Sequence, residues 1–158
     1  MTDDDVDPDV PDWFWDVIHA TKPNVAVLEA WLMTAPKQTV EQFGYHYDTA
    51  ALELADYWDG IRVGDTTFSE DDMEDLCHWI VSQGRAYWQS VIDGDRTLVD
   101  AAETYRFQAN HWNPAVADPA HHGYQSPSGI AHGVYWSRFG ELLNAVIDEP
   151  DYRPTPPA

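Results

Sequence analysis

The sequence predicts an all-α protein, a single-domain bundle of about six helices with a long loop before the last one. Apolar residues recur every three or four positions through most of the chain, which is the spacing of one helix face. Capping residues and prolines separate these stretches. No stretch alternates apolar and polar residues over more than about four positions, as a strand would. The chain has 158 residues, which suits one domain, and its eight tryptophans predict an aromatic-rich core.

The two ends of the chain are predicted to lie outside this domain. Residues 1–11 carry five aspartates that repel one another and have little apolar surface to bury, which predicts a disordered acidic leader. Residues 150–158 form a proline-rich tail that is predicted to be flexible. The helical domain therefore spans residues 12–149.

Capping residues place the first three helices. Asp12 is predicted to cap a helix of about two turns that ends at Ala20. Asn24 is predicted to cap the second helix, which Pro36 ends. Thr39, with a glutamine three residues later, has the pattern of a capping box for a long third helix. The apolar stripe of that helix comprises Val40, Phe43, Tyr47, Ala50, Leu54, Trp58 and Ile61.

The fourth helix has the most strongly marked start. Ser69 is predicted to cap it, and five acidic residues fill its first turns, where negative charge meets the positive end of the helix dipole. These are Glu70, Asp71, Asp72, Glu74 and Asp75. Gly84 lies inside the pattern and marks either a bend or a close helix contact. Asp93-Gly94-Asp95 predicts a turn at the end.

The last part of the chain has two predicted helices separated by a loop. Thr97 begins a capping pattern, and helical spacing continues to Trp112. Residues 113–129 hold three prolines and two glycines, which predicts a long loop. The final helix is predicted to begin near Pro127 or Ile130 and to end at Pro150.

Charge and cysteine content exclude several classes of protein. A formal charge of −20, from 28 acidic and 8 basic residues, excludes a nucleic-acid binder and a polybasic membrane contact. Cys77 is the single cysteine, so no internal disulfide and no CxxC metal knuckle can form. The chain shows no signal peptide and no apolar run of ~18 residues, so a cytoplasmic location is predicted. The acidity itself suits solubility, docking to a basic protein, or mimicry of nucleic acid.

Five motifs follow one another in order between residue 13 and about residue 100. They are Phe14-Trp15, Asp56-Tyr57-Trp58, Ser69-Glu70-Asp71, Trp79 to Arg85, and Asp93 to Leu98. This ordered set resembles the bacterial domain-of-unknown-function 4240 (DUF4240) family. The resemblance implies a helical bacterial domain and no established activity. The sequence departs from the family pattern in three places, with Cys77 in place of an arginine, Gly64-Asp65-Thr66-Thr67 in place of a glycine-rich turn, and Gly94 in place of a proline. If the family uses that arginine in a polar site, this chain lacks it.

One polar cluster is a candidate site. Arg85 with Asp56 or Asp71 would form a bidentate pair that either holds two helices together or binds a ligand. The full candidate set is Asp56, Trp58, Asp71, Trp79, Gln83 and Arg85. The two tryptophans lie on apolar stripes, so they are expected as core residues more than as ligand platforms.

Neither a catalytic residue nor a cofactor is predicted. Cys77 and His78 are adjacent and cannot share a helix face, so they do not form a catalytic dyad. No nucleotide-binding glycine motif and no serine-nucleophile elbow occurs in the sequence. No metal is predicted, because zinc-binding spacings are absent. The histidines near the long loop are weak candidates as ligands, namely His111, His121, His122 and His132.

Two functions remain open. The first is a non-enzymatic interaction module that docks a basic protein, either as an immunity-like inhibitor or as a regulatory domain, through the five acidic residues of the fourth helix. The alternative is a small-molecule-binding or enzymatic bundle with a pocket near Asp56, Trp58 and Arg85. The oligomeric state is left open.

Overall fold

The computed structural model describes residues 10–22, 24–55, 61–107 and 126–154, and these residues are mostly helical. The prediction of an all-α fold is confirmed in that helices account for nearly all of the regular secondary structure of these residues. The described residues form eight helices and one short hairpin. They are α1 (Asp12–Thr21), α2 (Val25–Thr34), α3 (Lys37–Ala55), β1 (Arg62–Val63), β2 (Thr66–Thr67), α4 (Glu70–Ser82), α5 (Arg85–Ile92), α6 (Leu98–Phe107), α7 (Pro127–Phe139) and α8 (Leu143–Ile147).

The helix count exceeds about six because two predicted helices are each interrupted by a glycine. Gly84 separates α4 from α5 with φ +108°, and Gly140 ends α7 with φ +67°. A positive φ cannot continue a right-handed helix, and glycine adopts it without a steric penalty. The chain turns at both positions and starts a new, shorter helix.

Three of the predicted helix starts are confirmed by their hydrogen bonds. Asn24 Oδ1 accepts from the amide of Ala26 at 2.9 Å. Ser69 and Asp72 form a reciprocal capping box, with distances of 2.9 and 3.1 Å. Thr97 and Asp100 do the same at 3.2 and 3.0 Å. Each of these caps uses atoms no more than three residues apart.

Two of the predicted caps are wrong because a proline begins the helix earlier. α1 begins at Asp12, with Pro11 as its N-cap. α3 begins at Lys37, so Thr39 lies inside its first turn, where its amide donates to the Pro36 carbonyl at 2.9 Å. Proline has no amide hydrogen to satisfy and a fixed φ, so it suits the start of a helix.

Only some of the positions predicted near the ends of the long helices are among the described residues. Ile61 is wrong as a member of α3, because it precedes the hairpin in which Arg62 pairs with Thr67. Trp58 and Trp112 lie outside the described residues, as do positions 113–125 of the predicted loop and the leader at 1–9. The predicted start of the last helix is confirmed at Pro127.

α3 lies at the centre of the bundle and packs against α4, α5, α7 and α8. The core is aromatic, as predicted: Phe14, Trp15, Phe43, Tyr47 and Trp79 have at most 2% of their surface exposed. Such side chains remove large apolar areas from water, which is the main term that favours folding. In the part of the chain that the structure describes, no helix has both the length and the apolarity needed to cross a membrane.

Candidate functional site

A cleft with a volume of about 540 Å³ lies between α3, α4 and α7, beside the end of α8. Acidic, histidine and small polar side chains line it together with a few apolar ones. The lining residues are Asp48, Ala51, Leu52, Glu70, Met73, Glu74, Cys77, His78, Ser128, His132 and Asp148. We refer to this site as the cleft.

Helical spacing brings these side chains to one place. Glu70, Glu74 and His78 follow one another at intervals of four on α4, so they share one face of that helix. Ser128 and His132 have the same spacing on α7. α3 packs against both helices and contributes Asp48 from between them. The hydroxyl of Tyr47 donates to the His78 carbonyl at 2.6 Å, which ties α3 to α4 beside the cleft.

Asp48 is the most perturbed carboxyl group of the cleft. Burial is the main cause that raises its pKa to about 6, and the negative charges of Asp148 and Glu74 contribute to the same increase. Both charges that act on it are therefore of its own sign. A carboxylate that is held in this way is a stability cost at neutral pH and a strong acceptor for any cation that reaches it.

The two histidines and the cysteine are uncharged at neutral pH. Burial lowers the pKa of His78 and of His132, although Glu74 and Asp148 oppose this effect. Burial raises the pKa of the Cys77 thiol to about 12, so the thiol is protonated and is a poor nucleophile. The cleft therefore carries negative charge from its carboxylates and no positive charge from its imidazoles.

None of the described residues that line the cleft is lysine or arginine. The seven basic side chains that the structure describes make their contacts elsewhere. Lys22, Arg62, Arg138 and Arg153 donate to backbone carbonyls, Arg96 donates to Ser90, and Lys37 and Arg85 pair with Glu141 and Asp12. The described part of the chain thus supplies no countercharge to the cleft.

The five acidic residues predicted as a docking surface are all exposed on the first two turns of α4. We refer to Glu70, Asp71, Asp72, Glu74 and Asp75 together as the acidic rim. The pKa of Asp75 is raised by burial and by the charges of its acidic neighbours. Glu70 and Glu74 belong to both the rim and the cleft lining, so the two form one continuous acidic region.

Comparison with known proteins places the chain in a family. The family model described as protein of unknown function (DUF4240) matches residues 11–126. The chain belongs to the DUF4240 family. The predicted resemblance is confirmed, and the match extends beyond residue 100. No curated protein and no solved structure matches the chain.

The DUF4240 match ends before α7 begins. Asp48, Glu70, Glu74 and His78 lie within the matched region. Ser128, His132 and Asp148 lie beyond it, so the cleft combines the DUF4240 region with the C-terminal helices of this chain.

The DUF4240-like motif from Trp79 to Arg85 has a structural role here. It shapes the break between α4 and α5, where a Cβ on Gly84 would lie 2.7 Å from Nε2 of His19. The amide of Arg85 donates to the same nitrogen at 3.3 Å. Trp79 is fully buried, with Tyr87 and Tyr105 at 5.6 Å between ring centroids. Trp79 is thus a core residue, as its apolar stripe indicated.

Among the described residues, Arg85 pairs with Asp12 and not with Asp71. Its guanidinium pairs with Asp12 at 2.7 Å, and its side chain is 46% exposed. Asp71 is exposed at the start of α4, whereas Arg85 follows the end of that 13-residue helix, about 20 Å away at 1.5 Å per residue. The carbonyl of Gln83 accepts from Lys22 Nζ at 3.0 Å. Asp56 and Trp58 lie outside the described residues.

The described residues contain no set of three histidine, cysteine, aspartate or glutamate side chains arranged to hold a metal ion. Of the weak metal candidates, only His132 is described, and it lines the cleft. His111, His121 and His122 lie outside the described residues.

Sequence reasoning did not identify Asp48, Leu52 or Asp148 as site residues. The four-residue spacing of Glu70, Glu74 and His78 is visible in the sequence and marks one side of the cleft. The opposite side comes from α3 and from the turn after α8, and no sequence pattern links these elements to α4.

Proposed function

We propose that the protein is a non-enzymatic interaction module that docks a basic protein partner on its acidic rim and cleft, in an immunity-like or regulatory role. The observation that carries this proposal is the set of carboxylates in the cleft and rim, with no lysine or arginine among the described residues that line the cleft. A basic partner would supply the missing countercharge. Complementary charge of this kind steers association and excludes partners of the wrong sign.

The chemistry of the cleft supports binding more than catalysis. The thiol of Cys77 is protonated at neutral pH, which makes it a poor nucleophile. The alternative pocket near Asp56, Trp58 and Arg85 has less support, because Arg85 is half-exposed and already paired with Asp12. A pocket would need that guanidinium free and pointing inward.

The proposal is tested with a variant of the rim in which charge is removed and shape is kept. Glu70→Gln, Asp71→Asn, Asp72→Asn, Glu74→Gln and Asp75→Asn are combined in one chain. The amide at position 72 still offers an oxygen to the Ser69 amide, so the capping box of α4 is retained. The probe is a short poly-lysine peptide, and its binding is measured by calorimetry at low and moderate salt.

A matched control removes five exposed acidic charges elsewhere. The control changes are Asp16→Asn, Glu29→Gln, Asp95→Asn, Glu103→Gln and Asp151→Asn. We expect the rim variant to lose at least about tenfold in affinity and the control to lose far less, because screening acts over about 10 Å at 0.1 M salt. Equal losses in the two variants, or an affinity that does not change with salt, would contradict docking at the rim.

A further inference from the structure

We propose that the cleft is an anchor pocket that receives one lysine side chain of the basic partner. This inference rests on the proposed docking function and specifies which chemical group enters the cleft. It goes beyond an acidic surface, because a pocket for one side chain makes geometric demands that a diffuse charge does not. The cleft has carboxylates and other polar acceptors for the ammonium group, and apolar walls for the methylene stem.

Carboxylates reach the cleft from separate elements. Asp48 comes from α3, Glu74 from α4 and Asp148 from the turn after α8. The charges of Asp148 and Glu74 both act on Asp48, so the three groups lie close enough to repel one another. A single cation placed among them would relieve this repulsion and gain several charge-assisted hydrogen bonds.

The cleft also offers polar groups other than carboxylates. Ser128 is only 4% exposed and lines the cleft, and its hydroxyl has no hydrogen-bond partner among the described residues. The hydroxyl oxygen can accept a hydrogen bond from a ligand that supplies a donor. The neutral imidazoles of His78 and His132 each carry one acceptor nitrogen. These acceptors suit a group that is rich in donors.

The walls of the cleft suit the methylene stem of lysine. Ala51, Leu52 and Met73 contribute apolar surface next to the carboxylates. Leu52 is 65% exposed, the highest value among the exposed large apolar residues. Lysine buries its four-carbon stem against apolar surface while its ammonium group makes polar contacts. The combination of apolar wall and acidic end matches that side chain.

The arrangement favours an ammonium group over the other common cations. An ammonium is a compact charge whose three donors point in different directions, as do carboxylates on separate elements. A guanidinium instead pairs best with one carboxylate through its planar fork. A metal ion would need three close ligands, and the described residues provide no such set.

The test uses N-acetyl-lysine methylamide as the probe, with the norleucine analogue as an uncharged control of similar shape. Nuclear magnetic resonance titration of the full chain follows the amide signals. We expect the lysine probe to shift the signals of His78, Ser128 and His132. Asp48→Asn should weaken its binding about tenfold, equivalent to about 1.4 kcal/mol. Asp16→Asn, at an exposed acid outside both the rim and the cleft, should change it less than about twofold.

Three results would overturn the anchor pocket. They are equal binding of the norleucine analogue, tighter binding of N-acetyl-arginine methylamide, and shifts confined to Asp71 and its neighbours on the rim. If poly-lysine binds through the rim while the lysine probe leaves the cleft signals unchanged, the anchor is wrong and docking stands. If poly-lysine does not bind either, the proposed function itself is wrong.

Discussion

Two acidic regions lie along the contact between α3 and α7, and they differ in how their charges are satisfied. In the first region, which we call the clamp, Lys37 pairs with Glu141 at 3.0 Å. The hydroxyl of Tyr135 donates to Glu41 at 2.6 Å and to Glu141 at 3.2 Å. In the second region, the cleft, Asp48 has only like charges acting on it.

A basic side chain next to the clamp also satisfies backbone carbonyl groups at the end of α2. Arg138 Nη1 donates to the carbonyls of Leu32 and Ala35 at 2.7 and 2.6 Å, which closes the C-terminal end of α2. Its guanidinium lies 4.7 Å from the ring centre of Phe139. In the clamp, therefore, the acidic side chains that hold helices together have a countercharge. The cleft lacks that countercharge, which is a reason to assign it a ligand.

The largest effect is expected from removal of the clamp's tyrosine. Tyr135→Ala removes a fully buried ring and its two hydrogen bonds, so we expect a loss of about 3–5 kcal/mol in the free energy of unfolding. Urea denaturation at pH 7.5 measures it. Tyr135→Phe is the control that keeps the ring, and it should cost less. A loss under about 1 kcal/mol for Tyr135→Ala, close to the ordinary range of about ±0.5 kcal/mol for surface substitutions, would show that the clamp does not hold the helices.

In the cleft, removal of the Asp48 charge is expected to stabilise the protein, whereas loss of Tyr135 from the clamp destabilises it. The folded-state pKa of Asp48 is about 6, above its ordinary value of 3.8, so the folded protein binds the proton more tightly than the unfolded chain. Stability therefore falls as pH rises from about 4 to 6. Asp48→Asn should stabilise the protein by up to about 3 kcal/mol at pH 7.5 and by about 1 kcal/mol at pH 4.5.

Denaturation of both proteins at the two pH values measures this effect. Asp71→Asn is the matched control, because it neutralises an exposed acid on the same helix as Glu74 and should change stability by less than about 0.5 kcal/mol. A destabilised Asp48→Asn at pH 7.5 would show that the carboxylate has a favourable partner.

Binding of the lysine probe is expected to weaken in acid. Below pH 6, Asp48 loses its charge, and His78 and His132 gain positive charge once the pH falls below their lowered pKa values. Glu70, Glu74 and Asp148 also face the cleft, and their carboxylates attract the cation. We expect about three- to tenfold weaker binding at pH 5.5 than at pH 7.5. Titrations at the two pH values measure it, and stronger binding at pH 5.5 would contradict the account.

The smallest effect is expected from the exposed ion pair of the clamp. Lys37 and Glu141 are about half-exposed, at 48% and 50%. Lys37→Met keeps the side-chain length and should cost at most about 1 kcal/mol, with less cost at high salt. Denaturation in 0.1 M and 1 M salt gives the difference. A cost of several kcal/mol would show that the clamp stabilises the fold mainly through its charges and not through the ring of Tyr135.

Local chemistry explains which parts of the fold were predictable. The caps at Ser69 and Thr97 each use a carboxylate three residues away, so the sequence contains the whole interaction. Gly84 was predicted as a bend or a close contact, and it is both. Its positive φ ends α4, and it approaches His19.

The site was not predictable for the opposite reason. Arg85 and its partner Asp12 are 73 residues apart, and no local pattern favours Asp12 over Asp71. Asp48 and Asp148 are also distant in the sequence, and they meet because α3 packs against both α7 and α8. Helical periodicity gives the faces of helices, but the order in which they pack determines which acids meet.

The most direct test of the account is the pKa of the Asp48 carboxyl group, followed by ¹³C nuclear magnetic resonance with and without N-acetyl-lysine methylamide. The account predicts a pKa of about 6 in the free protein and a clear decrease when the lysine probe is bound, because the ammonium group stabilises the carboxylate. A pKa near 3.8 in the free protein would contradict the inference that the Asp48 carboxylate lacks a countercharge in the cleft. A pKa of about 6 that the probe leaves unchanged would contradict the lysine anchor.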